Sequence, residues 1–328
     1  MSNALDAARE LAIRSLIERA PFAQTLAQAF KAKGFKLALV GGPVRDAILG
    51  RLGNDLDFTT DARPEITKEI LKNWAEHIWD TGIEFGTIAG KRGDTTVEIT
   101  TYRSDKYDPS SRKPEVEFGD NIEGDLSRRD FTVNAMALEL TDDKPVFIDV
   151  FNGVQDLGTK ILRTPVSPEQ SFSDDPLRMM RAARFAAQLN FEVEASALKA
   201  MHEMAERINI ISAERVRDEL IKLLMSDQPR KGIEILVATG LADLVLPEIP
   251  KLKLEIDEHH HHKDVYEHSL TVLEQAIALE TRLGGKNLVI RLAALLHDIG
   301  KPKTRELIPG GGVSFHHHEV VGARLAKE

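Results

Sequence analysis

The chain has 328 residues, 42% of them hydrophobic and 29% charged, with a net charge of −9 and no cysteine. That length accommodates one large or two to three ordinary domains and more than one core. The composition excludes disulfides and thiolate metal ligands, a membrane-crossing apolar run and attachment to nucleic acid by bulk charge, but not a local basic groove.

The N-terminal MSNALDAARELAIRSL has an amphipathic helical pattern and lacks the basic start and unbroken apolar segment of a signal peptide. One or two helices are expected up to about Lys33. LALVGG (37–42) predicts a short strand running into two glycines, and PVRDAILG (43–50) a short helix with Pro43 at its first position and Gly50 at its end. A strand is expected through NDLDF (54–58), then a hairpin of FGTIAGK and TTVEITTY about a tight turn at 92–94. The polar stretch 103–127 reads as a loop. RDFTVNAMALEL restarts regular structure and PVFIDVF (145–151) predicts another strand.

From about residue 174 the period becomes helical. In AERVRDELIKLLMS, for example, Val216, Leu220, Leu223 and Leu224 fall at helical spacing. The fold class is therefore α+β: a mixed α/β head followed by an all-helical remainder, with a boundary expected near Thr164–Phe172.

The sharpest constellation is GGPVRD followed by NDLDF. Residues two apart in a strand share a face, so Asp55 and Asp57 present two carboxylates together while Leu56 turns into a core. Close carboxylates repel unless a cation lies between them, and oxygen donors of this kind suit Mg²⁺. Alone, the pair reads as a solvated strand end. Gly41 and Gly42 change that reading, because backbone amides between a strand and a helix start can approach an anion. Arg45, one turn into the helix, is placed to reach the same phosphates. Glu98, on the opposite face from Val97 and Ile99, is a third acid that completes the metal site, deprotonates an attacking hydroxyl, or is simply solvated.

With these residues in place, the sequence resembles the class II tRNA nucleotidyltransferases, the bacterial CCA-adding enzymes, and the related bacterial poly(A) polymerases. The resemblance runs through LVGGPVRDAILGRLGNDLDFTT, DLSRRDFTVNAMAL (125–138), DVFNGVQDLGTKILR (149–163), DDPLRMMRAARFAAQLNF (174–191) and ISAERVRDELIKLL (211–224). It implies a polymerase-β-like head over 1–165, a helical base- and RNA-binding body over 166–257, and the addition of C, C and A to the tRNA 3′ end from CTP and ATP with release of pyrophosphate. It implies Asp55 and Asp57 as Mg²⁺ ligands, with Gly42 and Arg45 on the triphosphate. Arg129, Asp130 and Asn134 would contact the incoming nucleotide, Asp175 and Arg178 the edge of its base, and Arg181 and Arg184 would support that site or the phosphates. An Asp offers only acceptors and an Arg only donors, a pair that matches cytosine and, after a small rotation, adenine. Read without the resemblance, Asp175 before Pro176 is an ordinary helix cap. Residues 101–120 resemble the loop that the family links to switching from C to A addition.

HHHHKDVYEHSL (259–270), LLHDIGKP (295–302) and SFHHHE resemble an HD-type metal phosphohydrolase module over 258–328, with His268, His297 and Asp298 as ligands of a second divalent metal. The pattern calls for a later Asp, so the module reads as truncated. The competing readings are a poly(A) polymerase, a non-catalytic RNA- or nucleotide-binding relative, and an HD phosphohydrolase with an accessory head. Neither a membrane nor an obligate protein partner is expected, and the location implied is cytoplasmic.

Overall fold

The computed structural model describes residues 2–106, 115–119, 121–142, 144–253, 264–309 and 313–327. They form two compact units, Met1–Asp175 and Pro176–Glu328. No helix among them is long and apolar enough to cross a membrane.

The first unit opens with helices α1 (Ser2–Arg19) and α2 (Phe22–Lys31) and then builds a seven-stranded sheet. Its early strands are β1 (Ala38–Val40), β2 (Asp55–Thr60), β3 (His77–Trp79), β4 (Thr87–Arg92) and β5 (Thr95–Thr101). Helix α3 (Gly42–Ile48) joins β1 to β2, and α4 (Pro64–Leu71) joins β2 to β3. Strands β6 (Arg103–Lys106) and β7 (Glu115–Phe118) pair with each other outside this sheet. After α5 (Ile122–Ser127), strands β8 (Ala137–Glu139) and β9 (Val146–Ile148) complete the spatial order β3-β4-β5-β2-β1-β8-β9. Helices α6 (Gly153–Thr159) and α7 (Pro168–Asp174) close the unit.

Alternation along the central strands creates two different faces. Leu37 and Leu39, with Leu56 and Phe58, join the main core with α1, α2 and α3. Ala38 and Val40 turn the other way into a small cluster with Leu126 of α5. Ala38 pairs with Thr59 across β1 and β2, so Asp55, Asp57 and Thr59 occupy this second face. Small residues at Ala38, Ala135 and Ala137 keep that face shallow, leaving room beside it for polar side chains.

The expected glycine corner, β4–β5 hairpin and alternation of Glu98 against Val97 and Ile99 are all present, with Arg92 opposite Thr95 at the hairpin tip. One expectation needs correction. The stretch 103–127 is not loop throughout. Strands β6 and β7 pair antiparallel as a two-stranded ribbon, and Asn121 Oδ1 caps α5 by accepting the Gly124 N–H at 2.7 Å. Residues 107–114, at the centre of the expected switching loop, lie outside the described residues. Helix α7 starts within the segment Thr164–Phe172. Ser167 accepts the Gln170 N–H at 3.2 Å and Pro168 takes the first turn. The units divide after Asp175.

The second unit contains α8 (Leu177–Leu189), α9 (Ala195–Glu203), α10 (Ala213–Leu224), α11 (Pro229–Ala238), α12 (Leu241–Val245), α13 (Val265–Leu279), α14 (Leu288–Leu296) and α15 (His318–Leu325). Its helical character follows the expected period. Leu223 and Leu224 of α10 are buried and Val216 and Leu220 half-buried.

Candidate nucleotide-binding and metal centres

Strand β1 delivers the chain to Gly41, whose φ of +77° is a conformation that favours glycine. A Cβ at Gly41 would lie 2.9 Å from Arg129 Nη1, so the bare backbone lets a guanidinium rest on the corner. The Gly41 N–H donates to the Met136 carbonyl at 3.2 Å, so this amide braces β8 rather than facing an anion as expected.

Arg45 makes its contacts within the protein. It is buried, its Nε and Nη2 donate to the Asp46 carboxylate at 3.0 and 2.9 Å, and its Nη1 donates to Asn134 Oδ1 at 2.5 Å. A buried cation with internal partners stays with them. Arg45 therefore ties α3 to the RRDFTVN segment instead of reaching outward. Asn134 in turn donates to Asp130 Oδ1 at 3.0 Å, and the Phe131 N–H donates to the same oxygen at 2.8 Å. Asp130 and Asn134 thus lock the turn that follows Arg129. Behind it, the Thr132 hydroxyl donates to Asp156 of α6 at 2.7 Å and the Thr132 N–H to the Arg163 carbonyl at 2.8 Å.

Arg129 is the cation presented here. Its Nη2 donates to Asp125 Oδ2 at 3.1 Å while Nη1 lies over Gly41. Asp125 is fully buried and also takes Arg128 Nε and Nη2 at 3.0 and 2.8 Å. Burial pushes its carboxyl up, but the two guanidiniums outweigh burial and hold it below its ordinary value.

The acid pair stands at the start of β2, with both side chains exposed. Glu98 lies directly beside Asp57 in the parallel register of β2 and β5, so these acids share a face. The Asp57 carboxyl is pushed up to about 6, first by crowding from surrounding protein, which Arg129 opposes and Glu98 and Asp55 reinforce. Its surface remains open to water, so it sits in a recess rather than in the core. The three acids do not close into one ligand set. Among the described residues, only His268, His297 and Asp298 bring three such ligand atoms within 4.8 Å of one another. Two hard oxygen donors on one face, destabilised by mutual repulsion, fit a divalent ion that keeps water and accepts phosphate oxygens.

In the second unit, Arg178 and Arg184 are buried. Arg184 Nε donates to Glu219 Oε2 of α10 at 2.5 Å, its Nη1 donates to Gln188 Oε1 at 2.9 Å, and its Cζ lies 3.9 Å from the Phe185 ring centroid. Arg181 Nη1 is 3.6 Å from Glu219 Oε1 and is less buried. Glu219 was not singled out from the sequence. Its signal is an acid three residues after Val216 and four before Leu223, on the apolar stripe. Asp175 ends α7 in an extended conformation and Pro176, with helical φ and ψ, opens α8, the backbone arrangement that the helix-cap reading of Asp175 expects.

His268 projects from the start of α13, while His297 and Asp298 follow α14. The two His Nε2 atoms are 3.3 Å apart, and Asp298 Oδ2 lies 3.2 Å from His297 Nε2 and 3.8 Å from His268 Nε2. His297 Nδ1 contacts the Ala294 carbonyl at 2.8 Å, which orients the ring with Nε2 toward the cluster. This nitrogen-and-carboxylate set fits a transition-metal ion. Lys301 Nζ donates to Asp298 Oδ2 at 2.7 Å, and His318 Nε2 lies 3.5 Å from Asp298 Oδ1. Neither was singled out from sequence, although both lie in histidine-rich blocks. The His run 259–262 lies outside the described residues.

Comparison with known proteins matches three segments of the chain. Residues 37–163 match the poly A polymerase head domain, 190–252 the probable RNA and SrmB-binding site of polymerase A, and 265–328 the HD domain. The CCA-adding enzyme of Lactobacillus helveticus is 41% identical over 228 residues, covering 69% of this chain and 54% of the relative. That of Streptococcus suis is 43% identical over 211 residues, covering 64% and 51%. The chain spans about half the length of the curated relatives it matches. The Bacillus stearothermophilus CCA-adding enzyme in complex with CTP superposes with a TM-score of 0.64 at 30% identity, covering 84% of this chain and 66% of that one. A tRNA nucleotidyltransferase complexed with a primer tRNA and an incoming ATP analog gives 0.66 at 26% identity, covering 83% and 74%. With a poly A polymerase head domain, an RNA-binding segment and an HD domain in this order, the chain is similar throughout these segments to the CCA-adding enzymes.

Proposed function

We propose that the chain adds C, C and A to the 3′ end of tRNA without a nucleic-acid template, using CTP and ATP and releasing pyrophosphate. The observation that carries this reading is the Arg129 guanidinium lying on the Gly41 corner beside the face that bears Asp55 and Asp57. A cation and an acid pair on one face suit a triphosphate and its metal together. Asp55 and Asp57 would hold Mg²⁺, which when bound supplies charge neutralisation at the transferred phosphoryl group. Arg129 binds the triphosphate, and Gly42 lets it approach the backbone. Arg45, Asn134 and Asp130 hold this wall rigid. Glu98, beside Asp57, accepts the proton of the attacking 3′-hydroxyl. Asp175 and Arg178 read the base edge, with Arg184 and Arg181 steadied by Glu219. The three matched segments support a head over 1–165, a body over 166–257 that grips tRNA by shape and phosphates, and an HD module over 258–328. A cytoplasmic location goes with this activity.

Incubating the protein with tRNA lacking its tail, with CTP alone and then with CTP and ATP, tests the reading. Addition of two C residues and then one A is expected, and Asp55→Ala is expected to abolish it. A homopolymer from ATP alone identifies a poly(A) polymerase, while absence of pyrophosphate release leaves a non-catalytic binder.

His268, His297 and Asp298 would hold a second divalent metal. Calorimetric titration with Mn²⁺ or Ni²⁺ is expected to show a site that His297→Ala removes. Equal binding by the variant refutes these ligands.

A further inference from the structure

We infer that Asp125 is a positioning residue that sets Arg129 for the triphosphate, an assignment that rests on the function proposed above. Asp125 is the fully buried acid of α5, lying one helical turn before Arg128 and Arg129. Each of its oxygens has a distinct load. Oδ1 takes both donors from Arg128, at 3.0 and 2.8 Å, and Oδ2 takes Arg129 Nη2 at 3.1 Å. The Thr59 hydroxyl lies 3.3 Å from the same Oδ2 and 3.0 Å from the Thr100 carbonyl, sharing its proton between them. Thr59 is two residues beyond Asp57 on the same strand face. One buried carboxylate therefore joins the acid-bearing strand to the guanidinium on the glycine corner.

Asp125 is, among the described residues, the only ion-pair partner of Arg129. The Arg129 Nε is buried with no hydrogen-bond partner, so no second bond from that nitrogen holds the side chain in place. A charge-assisted bond from a fully ionised, desolvated carboxylate is strong and directional. It fixes one edge of the guanidinium and leaves Nη1 over Gly41. Without that charge, Arg129 keeps its attraction to Asp57, which it already influences. The guanidinium would move from the corner toward the acid pair, where it opposes rather than complements a triphosphate with its metal.

The test is a double-mutant cycle on the full chain, reading equilibrium affinity for CTP with Mg²⁺ in the absence of RNA. Asp125→Asn is expected to weaken CTP binding about tenfold, the scale of one charged hydrogen bond. Arg129→Ala is expected to weaken it at least as much. In the Arg129→Ala background, Asp125→Asn is expected to have no further effect, because its influence passes through that side chain. Melting curves accompany each variant. If Asp125→Asn does not fold, Asp125→Glu, which keeps the charge but displaces it, replaces it in the same cycle with a smaller loss. Additive losses, or a lowered melting temperature with unchanged CTP affinity, overturn the assignment of Asp125 alone. A wild-type protein that binds no CTP overturns the proposed function and this assignment with it.

Discussion

Asp57→Asn is expected to abolish nucleotide incorporation while raising the melting temperature of the metal-free protein at neutral pH. The folded pKa of Asp57 is raised from 3.8 to about 6 by crowding first and by its neighbouring acids. An acid whose pKa rises on folding opposes folding when ionised. The penalty is absent below the unfolded value of 3.8, grows as pH rises, and is complete above about 6. For a carboxyl open to water, screening reduces it to on the order of 1 kcal/mol. That corresponds to a gain of about 2–4 °C for a unit of this size. Differential scanning calorimetry in chelator at pH 7.5 and pH 4 reads it directly, with the gain expected only at the higher pH. A gain of equal size at both pH values contradicts charge crowding, and retained incorporation contradicts the ligand assignment. The same titration predicts that divalent metal competes with a proton here, so apparent metal affinity weakens as pH falls through about 6.

The second large effect is expected at Glu219. Replacing it with Gln removes the charge that balances buried Arg184 and its neighbour Arg181. Breaking one side of a buried ion pair costs about 3–5 kcal/mol, because the remaining cation stays desolvated without compensation. Urea denaturation is expected to show this loss, and a double variant, Glu219→Leu with Arg184→Met, is expected to recover most of it. Discrimination among the four nucleotides is also expected to relax in Glu219→Gln, since α8 carries Arg178 together with these arginines. A change in unfolding free energy below about 1 kcal/mol would place Glu219 among ordinary surface acids. Unaltered discrimination in a destabilised protein would confine it to a scaffolding role.

Both predictions concern charge set by what packs around it, which is where sequence and structure differ most here. Asp55 and Asp57 were legible because a strand's two-residue period places them on one face without reference to any distant residue. Gly41 and Gly42 were legible because strand and helix periods meet at them. The α4 and β3 segments were missed because each is short and neither has a long periodic run. The 103–127 stretch was misread because its composition is that of a turn, while the pairing of β6 with β7 satisfies its backbone.

Composition and local period were enough to determine an α/β head with an acid pair beside a glycine corner and a helical remainder, and the quoted motifs in their order carried the resemblance to the CCA-adding enzymes. The tertiary structure decided which charges face outward. Arg45, read as a phosphate contact, is turned inward by Asp46 and Asn134. Arg129 is held on the corner by Asp125, a residue whose spacing before two arginines is visible in sequence but whose burial is not. A side chain's solvation depends on what packs over it from elsewhere in the chain, so periodicity assigns a face but cannot say whether a charge on that face meets water, a partner or a ligand.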